Sequence, residues 1–437
     1  MAFGKPFFMN TTGAPAERPP ITKQTEIPED TEAAGSKEAV PWGANNNFPG
    51  EANEIIRSVG VLNSGLKFIR NFTVGQGVFP AIVEGYDLDG REQLSIAPDK
   101  ELIAWCNSRM VRRYLEKAAR DYFRYGSADV QLVPDINGQK IIGLNPLNKL
   151  YARYAPSNKL GVIDKLIYSA KWPDTPGNGE YEELDVLDEY DPLADMLRRR
   201  MAKKATAKPI VFAIRDSWSN AEYYPEPIWY SALLAGWIDV ARIVPQFLKK
   251  AYENQITWKW HVKIPYAFWD KKFPEKDYPD TKMREQAIND YIDNLEDSLV
   301  SHENADKAIF TFFEINPTNG KAEEQWIIEP LDNKYKENDK LITSAAANSE
   351  ILFSLMLNPN VLGAGMPGGT YAGNQGGSNI REAFLVNIAN AWIDRQNLLD
   401  PLTAMLQYNG HENVVLRFRS TILTTLDTGA GTKNIIS

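Results

Sequence analysis

The sequence predicts a mixed α+β fold, and three observations carry the prediction. Turn dipeptides separate pairs of apolar, strand-like runs at Asp89-Gly90, Asn137-Gly138 and Asn319-Gly320. Six longer stretches repeat apolar residues every three or four positions, the period of a helix with one buried side. With 437 residues, 43% hydrophobic and 24% charged, the chain has an ordinary globular balance and enough length for two or three cores.

Residues 1–41 are rich in Pro, Thr, Glu and Ala and poor in apolar anchors, the pattern of a flexible arm. From Glu51, the residues Ile55, Ile56, Val59, Leu62, Leu66, Ile69 and Phe72 keep helical spacing, and Gly75 and Gly77 end that helix. The Asp89-Gly90 hairpin follows. A helix is expected from about Asp99 to Tyr125, burying Leu102, Trp105, Cys106, Val111, Leu115, Ala118 and Tyr122. The Asn137-Gly138 hairpin comes next, and then strand-like text through "PIVFAI".

The second half is more helical. One long helix is expected from about Ile228, kinked at Pro245, where proline removes a backbone donor and crowds the preceding turn. An aromatic and basic stretch follows, and then a helix with Ala287, Tyr291, Leu295 and Leu299 on its apolar side. After the Asn319-Gly320 hairpin come a helix over "KLITSAAANSEILFSLML", a glycine-rich stretch, and a helix from Asn379 that Pro401 breaks or bends. The tail "ENVVLRFRSTILTTL" reads as a strand.

Little of this pattern carries catalytic chemistry. Gly363-Ala-Gly365-Met-Pro-Gly368 spells GxGxxG, but a dinucleotide turn needs a strand before it and a helix directly after it. Here a helix precedes the motif, so seven glycines within 358–379 read as a long loop between helices. His261, His302 and His411 have no metal-ligand spacing, and no HExxH, CxxC or GxSxG motif occurs. The single cysteine, Cys106, reads as a packed core thiol. The acidic run Gly179–Asp195 lacks the calcium-loop register. The basic run Arg198, Arg199, Arg200, Lys203, Lys204 and Lys208 reads as a solvated helix face or a partner for acidic groups. No cofactor is expected, and no enzyme activity. The most apolar stretch carries Asp239, Arg242 and Pro245, which makes a poor membrane span, and the N-terminus lacks the apolar core of a secretory signal.

The order of elements in the second half resembles that of the portal proteins of tailed bacteriophages. Asn358, Pro359, Leu362, Ser378, Asn379, Glu382, Leu399 and Pro401 match the short motifs on either side of the loop. The opening "PWGANNNFPGEANEIIRSVGVLNSGLKFIRNFTVGQG" resembles the portal start, so the likeness spans roughly 41–410. It implies a portal fold: an α/β wing (42–227 and 304–340), a two-helix stem (228–253 and 282–303), a small clip (254–281), and, over 341–437, a kinked long tunnel helix with its tunnel loop (358–379) and a short crown.

The resemblance also implies a ring of twelve copies at one capsid vertex, through which double-stranded DNA is packaged and ejected with weak, non-specific contact. The implied partners are the major capsid protein, the terminase large subunit and a head-tail adaptor. The implied location is the virion, after assembly in the host cytoplasm. Gly363, Gly365, Met366, Gly368, Gly369, Tyr371, Asn374 and Gln375 become the channel-facing loop. Trp258, Lys259, Trp260, Lys263, Trp269, Lys271 and Lys272 become the docking residues of the clip, although packing between neighbouring subunits suits the same aromatics. Asp290, Asp293, Glu296 and Asp297 become candidates for lining the channel.

The residues agree with such a role. A net charge of −9 and a loop without Lys or Arg from Val361 to Asn379 suit DNA that slides without being gripped. Two other readings stand beside this one: another virion structural protein, such as a minor capsid protein or adaptor, and a nucleotide-binding enzyme using the glycine-rich loop.

Overall fold

The computed structural model describes residues 39–202, 208–253, 260–278, 280–300, 314–315, 322–323, 326–330, 337–359 and 377–420. The chain divides into two compact units, Pro245–Lys340 and the remainder on either side of it.

Helices α1 (Phe48–Ser58) and α2 (Gly60–Val74) replace the single helix expected from Glu51. Val59 is extended between them, at φ −116° and ψ 104°. It is buried, as are Ala52, Ile56, Leu62 and Leu66. Both helices face the same core, so the apolar spacing runs through the break. Gly75 then turns the chain with φ +52°. A Cβ there would lie 2.5 Å from the Arg419 carbonyl oxygen, so only glycine fits.

Strands β1 (Val78–Tyr86) and β2 (Glu92–Ile96) form the hairpin expected at Asp89-Gly90. The helix expected over 99–125 is two helices, α3 (Lys100–Cys106) and α4 (Arg109–Tyr125). Ser108 separates them because its Oγ accepts from the Val111 N–H at 3.3 Å and caps α4.

Strands β3 (Ser127–Pro134) and β4 (Ile141–Pro146) pair across the Asn137-Gly138 turn. They are joined by β5 (Ala152–Tyr154), β6 (Lys165–Tyr168), β7 (Glu182–Val186) and, after helix α5 (Pro192–Met201), β8 (Ile210–Arg215). The six-stranded order is β4-β3-β8-β7-β6-β5. Only β7 and β8 are parallel, and α5 lies in the crossover that parallel pairing needs.

Beside the sheet lies a buried polar cluster. Lys149 Nζ donates to Asp129 Oδ2 at 2.7 Å, with almost no exposure of either side chain. The Tyr154 hydroxyl donates to the other Asp129 oxygen at 2.5 Å. The Tyr154 N–H donates to the Tyr224 hydroxyl, which donates in turn to the Val40 carbonyl at 2.8 Å. Trp42 stacks on Tyr224 with ring centroids 4.3 Å apart.

Helix α6 (Tyr230–Leu234) is separated from α7 (Trp237–Glu253) at Gly236, which has φ +85°. The single helix expected from Ile228 is therefore broken by a glycine in the left-handed region, and α7 runs through Pro245.

In the second unit, β9 (Trp260–Lys263) and α8 (Tyr266–Lys272) precede α9 (Thr281–Val300). Strands β10 (Glu314–Ile315) and β11 (Ala322–Glu323) pair, as the Asn319-Gly320 signal predicts. Strand β12 (Ile327–Pro330) pairs with β9 instead of extending that hairpin. The described strands β10, β11 and β12, in a segment that the resemblance groups with the wing, fall within the second unit.

The chain returns to the first unit with α10 (Glu337–Ser354), whose later residues Ala347, Ile351 and Leu352 are buried, followed by α11 (Gly377–Asn390), α12 (Trp392–Tyr408) and β13 (Val415–Phe418). Strand β13 pairs with β1, giving a sheet of order β13-β1-β2. Pro401 does not end its helix. It lies inside α12, where Leu398, Leu399, Leu402, Met405 and Leu406 are buried. Burying each such side chain contributes about 1.5–3 kcal/mol, which outweighs the roughly 3 kcal/mol that a proline costs a helix interior.

Helix α12 is also fixed by polar contacts. Arg395 is buried, and its guanidinium donates to the Thr73 and Phe72 carbonyls at 3.1 and 3.4 Å and to Ser420 Oγ at 3.0 Å. The Tyr122 hydroxyl donates to Asp394 at 3.1 Å. Burial raises the Asp394 carboxyl from an ordinary 3.8 to about 6, Tyr122 partly offsets this, and the nearby Asp216 adds to it.

Two stability predictions follow from these buried charges. Lys149→Met leaves the buried Asp129 without its ion-pair partner, so a loss of about 3–5 kcal/mol is expected in urea denaturation. For Asp394 the folded state binds the proton more tightly than the unfolded state, so the carboxyl destabilises the fold progressively as pH rises from about 4 to about 6. Asp394→Asn is expected to stabilise the protein by about 2 kcal/mol at pH 7.5, and thermal melts should show this gap closing as pH is lowered to 4.

Candidate functional site

The second unit gathers most of its described aromatic residues around Tyr291 on α9. Phe268, Trp269 and Phe273 place their ring centroids 6.2, 5.9 and 6.1 Å from that ring. Trp326 lies 6.4 Å from Tyr291 and 4.9 Å from Phe268, and it is buried. Edge-to-face pairs of this kind contribute about 0.5–1.5 kcal/mol each beyond their area. Lys272 Nζ sits 3.5 Å from the Tyr291 ring centroid, a cation over a ring face. Arg284 closes the cluster: its Nε donates to the Phe273 carbonyl at 2.7 Å, and its guanidinium pairs with Asp270 and Glu275.

This placement bears on the predicted clip residues. The ring of Trp269 packs within its own chain. Lys263, Lys271 and Lys272 are exposed, with Lys272 held against the aromatic cluster. Trp260 stands in β9, with its side chain outside the described residues, while Trp258 and Lys259 lie wholly outside them. Asp290 and Asp293 are exposed on α9, whereas the side chains of Glu296 and Asp297 on the same helix lie outside the description. What the structure adds is Tyr291 and Trp326 as the residues around which the second unit's aromatics gather. Tyr291 was visible only as one apolar position of a helix, and Trp326 only as part of a strand.

All of Gly363, Gly365, Met366, Gly368, Gly369, Tyr371, Asn374 and Gln375 lie outside the described residues. Their flanks are described. Helix α10 ends at Ser354, Met356 turns with φ +52°, and α11 begins at Gly377. The element before the GxGxxG run is therefore a helix and not the strand that a dinucleotide turn requires. Leu385 and Val386 on α11, Trp392 and Ile393 on α12, and Phe353 and Met356 at the end of α10 are all exposed.

Reactive groups are few. Cys106 is buried, and burial pushes its thiol up to about 11, so it stays protonated at neutral pH. Among the described residues, no group of three or more His, Cys, Asp or Glu is placed to hold a metal ion. No described helix is long and apolar enough to cross a membrane.

No protein-family model matches this chain, and no curated protein matches it. Solved structures do. A chain from the neck of an empty gene transfer agent (GTA) particle, computed with C6 symmetry, is 14% identical, with 88% of this chain and 87% of that chain covered and a TM-score of 0.57. A chain from the neck of the native GTA particle, computed with C12 symmetry, is 15% identical over 88% and 86% of the two chains, with a TM-score of 0.53. A chain from the virion of the native particle is 14% identical over 85% and 84%, with a TM-score of 0.54. At these identities the likeness is one of fold, and it extends along most of both chains.

Proposed function

We propose that this chain is a portal protein: a subunit of a ring at one capsid vertex, whose channel passes DNA into and out of a phage-like particle. The observation that carries this reading is the fold likeness to neck chains, which leaves little of either chain unmatched. The C12 symmetry under which one of those necks was computed supports twelve copies. The exposed apolar side chains of α10, α11 and α12 fit a subunit that buries them against neighbouring copies.

Within this reading α7 and α9 are the stem helices. The segment between them, with exposed lysines around the Tyr291 cluster, is the clip that meets the terminase and later the adaptor. The glycine-rich segment between α10 and α11 is the tunnel loop. Asp290 and Asp293 on α9 keep the channel from holding phosphates. The protein catalyses no reaction in this scheme. It is a conduit and a docking platform.

Negative-stain electron microscopy with mass determination in solution tests the reading. A turbine-like ring with a central channel and a mass near twelve times the 49.2 kDa subunit is expected. A monodisperse monomer in the presence of its capsid and scaffold proteins would overturn it. Deleting residues 363–376 is expected to leave the ring intact while lowering DNA packaging or retention severalfold, measured as packaged DNA per particle. Loss of the ring itself would make the loop architectural.

A further inference from the structure

A cavity of about 270 Å³ opens on the first unit between the β3–β4 hairpin and α5. Leu132, Ile141, Met196 and Ile210 form an apolar floor. The mouth is cationic. Arg199 and Asp185 also line the cavity, but they neutralise each other at 3.1 Å, with Lys165 and Asp195 as their further partners. Arg200 stands over the Tyr408 ring at 4.8 Å, and Arg198 is mostly exposed, 3.8 Å from Asp195. Lys208 is exposed and forms no ion pair among the described residues. The site suits an aliphatic side chain flanked by carboxylates.

The same unit displays such a group. Three hairpin apices hold an aliphatic side chain out in solvent: Leu88 at 107% relative exposure, Ile136 at 91% and Leu160 at 87%. All three turns are pinned in the same way, by an Asp or Asn side chain that accepts from backbone N–H groups beyond it. Asp87 Oδ1 accepts from Asp89 and Arg91, Asp135 Oδ1 from Gln139 and Lys140, and Asn158 Oδ1 from Leu160 and Val162. A pinned apex loses little further entropy when it docks. Charge separates the three. Leu160 follows Lys159, which the cationic mouth repels. Ile136 belongs to the hairpin that frames the cavity. Leu88 alone lies between two carboxylates, Asp87 and Asp89.

We propose that the Asp87-Leu88-Asp89 apex of one copy seats in this cavity of a second copy, with Leu88 on the apolar floor and Asp89 against Lys208 and Arg200. In a ring such a contact is head-to-tail and repeats from copy to copy. The inference rests on the ring reading above and names one joint between neighbours.

Cross-linking the full-length chain tests it. Leu88→Cys and Lys208→Cys variants are mixed and treated with a short bismaleimide, the native Cys106 being buried. A covalent dimer is expected only when both variants are present, and a ladder when one chain carries both changes. Trp218→Cys mixed with Lys208→Cys should give no dimer. Leu88→Asp is expected to raise the concentration needed for half-assembly by about tenfold or more. Asp89→Lys and Lys208→Asp should each weaken assembly and together restore it. Rings that form without the cross-link, or Leu88→Asp assembling like the wild type, would overturn this joint and leave the ring reading standing. Absence of both rings and cross-link would overturn the two together.

Discussion

Lys149 and Asp129 meet at 2.7 Å in the interior of the first unit, and much of that unit is arranged to make their burial tolerable. Burial alone disfavours the ammonium group and pulls the Lys149 pKa down, while Asp129 favours the charged form. The pair is stable only if its remaining hydrogen-bonding capacity is used. Tyr154 fills the other oxygen of Asp129, and the ring faces of Tyr154 and Trp42 lie 4.8 and 5.4 Å from the ammonium nitrogen. Through Tyr224 the same cluster fixes Val40, where the described chain begins. A strand, a turn, an edge strand and the N-terminal segment thus share one buried charge pair. A pair of this kind adds little net stability, but it penalises any arrangement that separates its members.

The second unit is built differently. Among its described residues, aromatic faces and a cation carry the packing around α9. Tyr291 is the common neighbour of Phe268, Trp269, Phe273 and Trp326, and Lys272 covers it. Aromatic side chains bury much area per residue and lose few rotamers, which suits a small unit. Around this centre the exposed positions of α9 remain acidic at Asp290 and Asp293, while Lys263 and Lys271 are exposed on β9 and α8. The unit therefore presents charge of both signs from one compact aromatic centre.

Local periodicity made much of the fold legible. All three turn dipeptides lie between paired strands, and the amphipathic segments are helices. The breaks within those helices were harder to read. Val59, Ser108 and Gly236 interrupt helices whose apolar spacing continues on both sides, because both halves place buried residues in the same core, whereas the break at Ala391 separates the buried α12 from α11, whose Leu385 and Val386 are exposed. Gly236 and Ser108 were signals in plain sight, a glycine within a helical pattern and a capping serine. The six-stranded order with its parallel β7–β8 pair was not legible, since it depends on contacts between segments far apart in sequence. The candidate site divides in the same way. The aromatics of 258–273 stood out by composition, but their convergence on Tyr291 and Trp326 joins residues from 18 to 58 positions apart.

The joint at Ala391 has a mechanical meaning. Helix α12 beyond it is locked by buried leucines and by Arg395, which grips the last carbonyls of α2 and the residue just after β13. Helix α11 before it packs Phe384 edge-on against Phe72 of α2, with ring centroids 5.2 Å apart, and carries exposed Leu385 and Val386. A pull on the chain ahead of Gly377 would reach α12 through α11 and the break at Ala391. The load ends at Arg395, and from there it spreads into α2 and the β13-β1-β2 sheet. One guanidinium thus moors α12 to α2 and to the chain beyond β13.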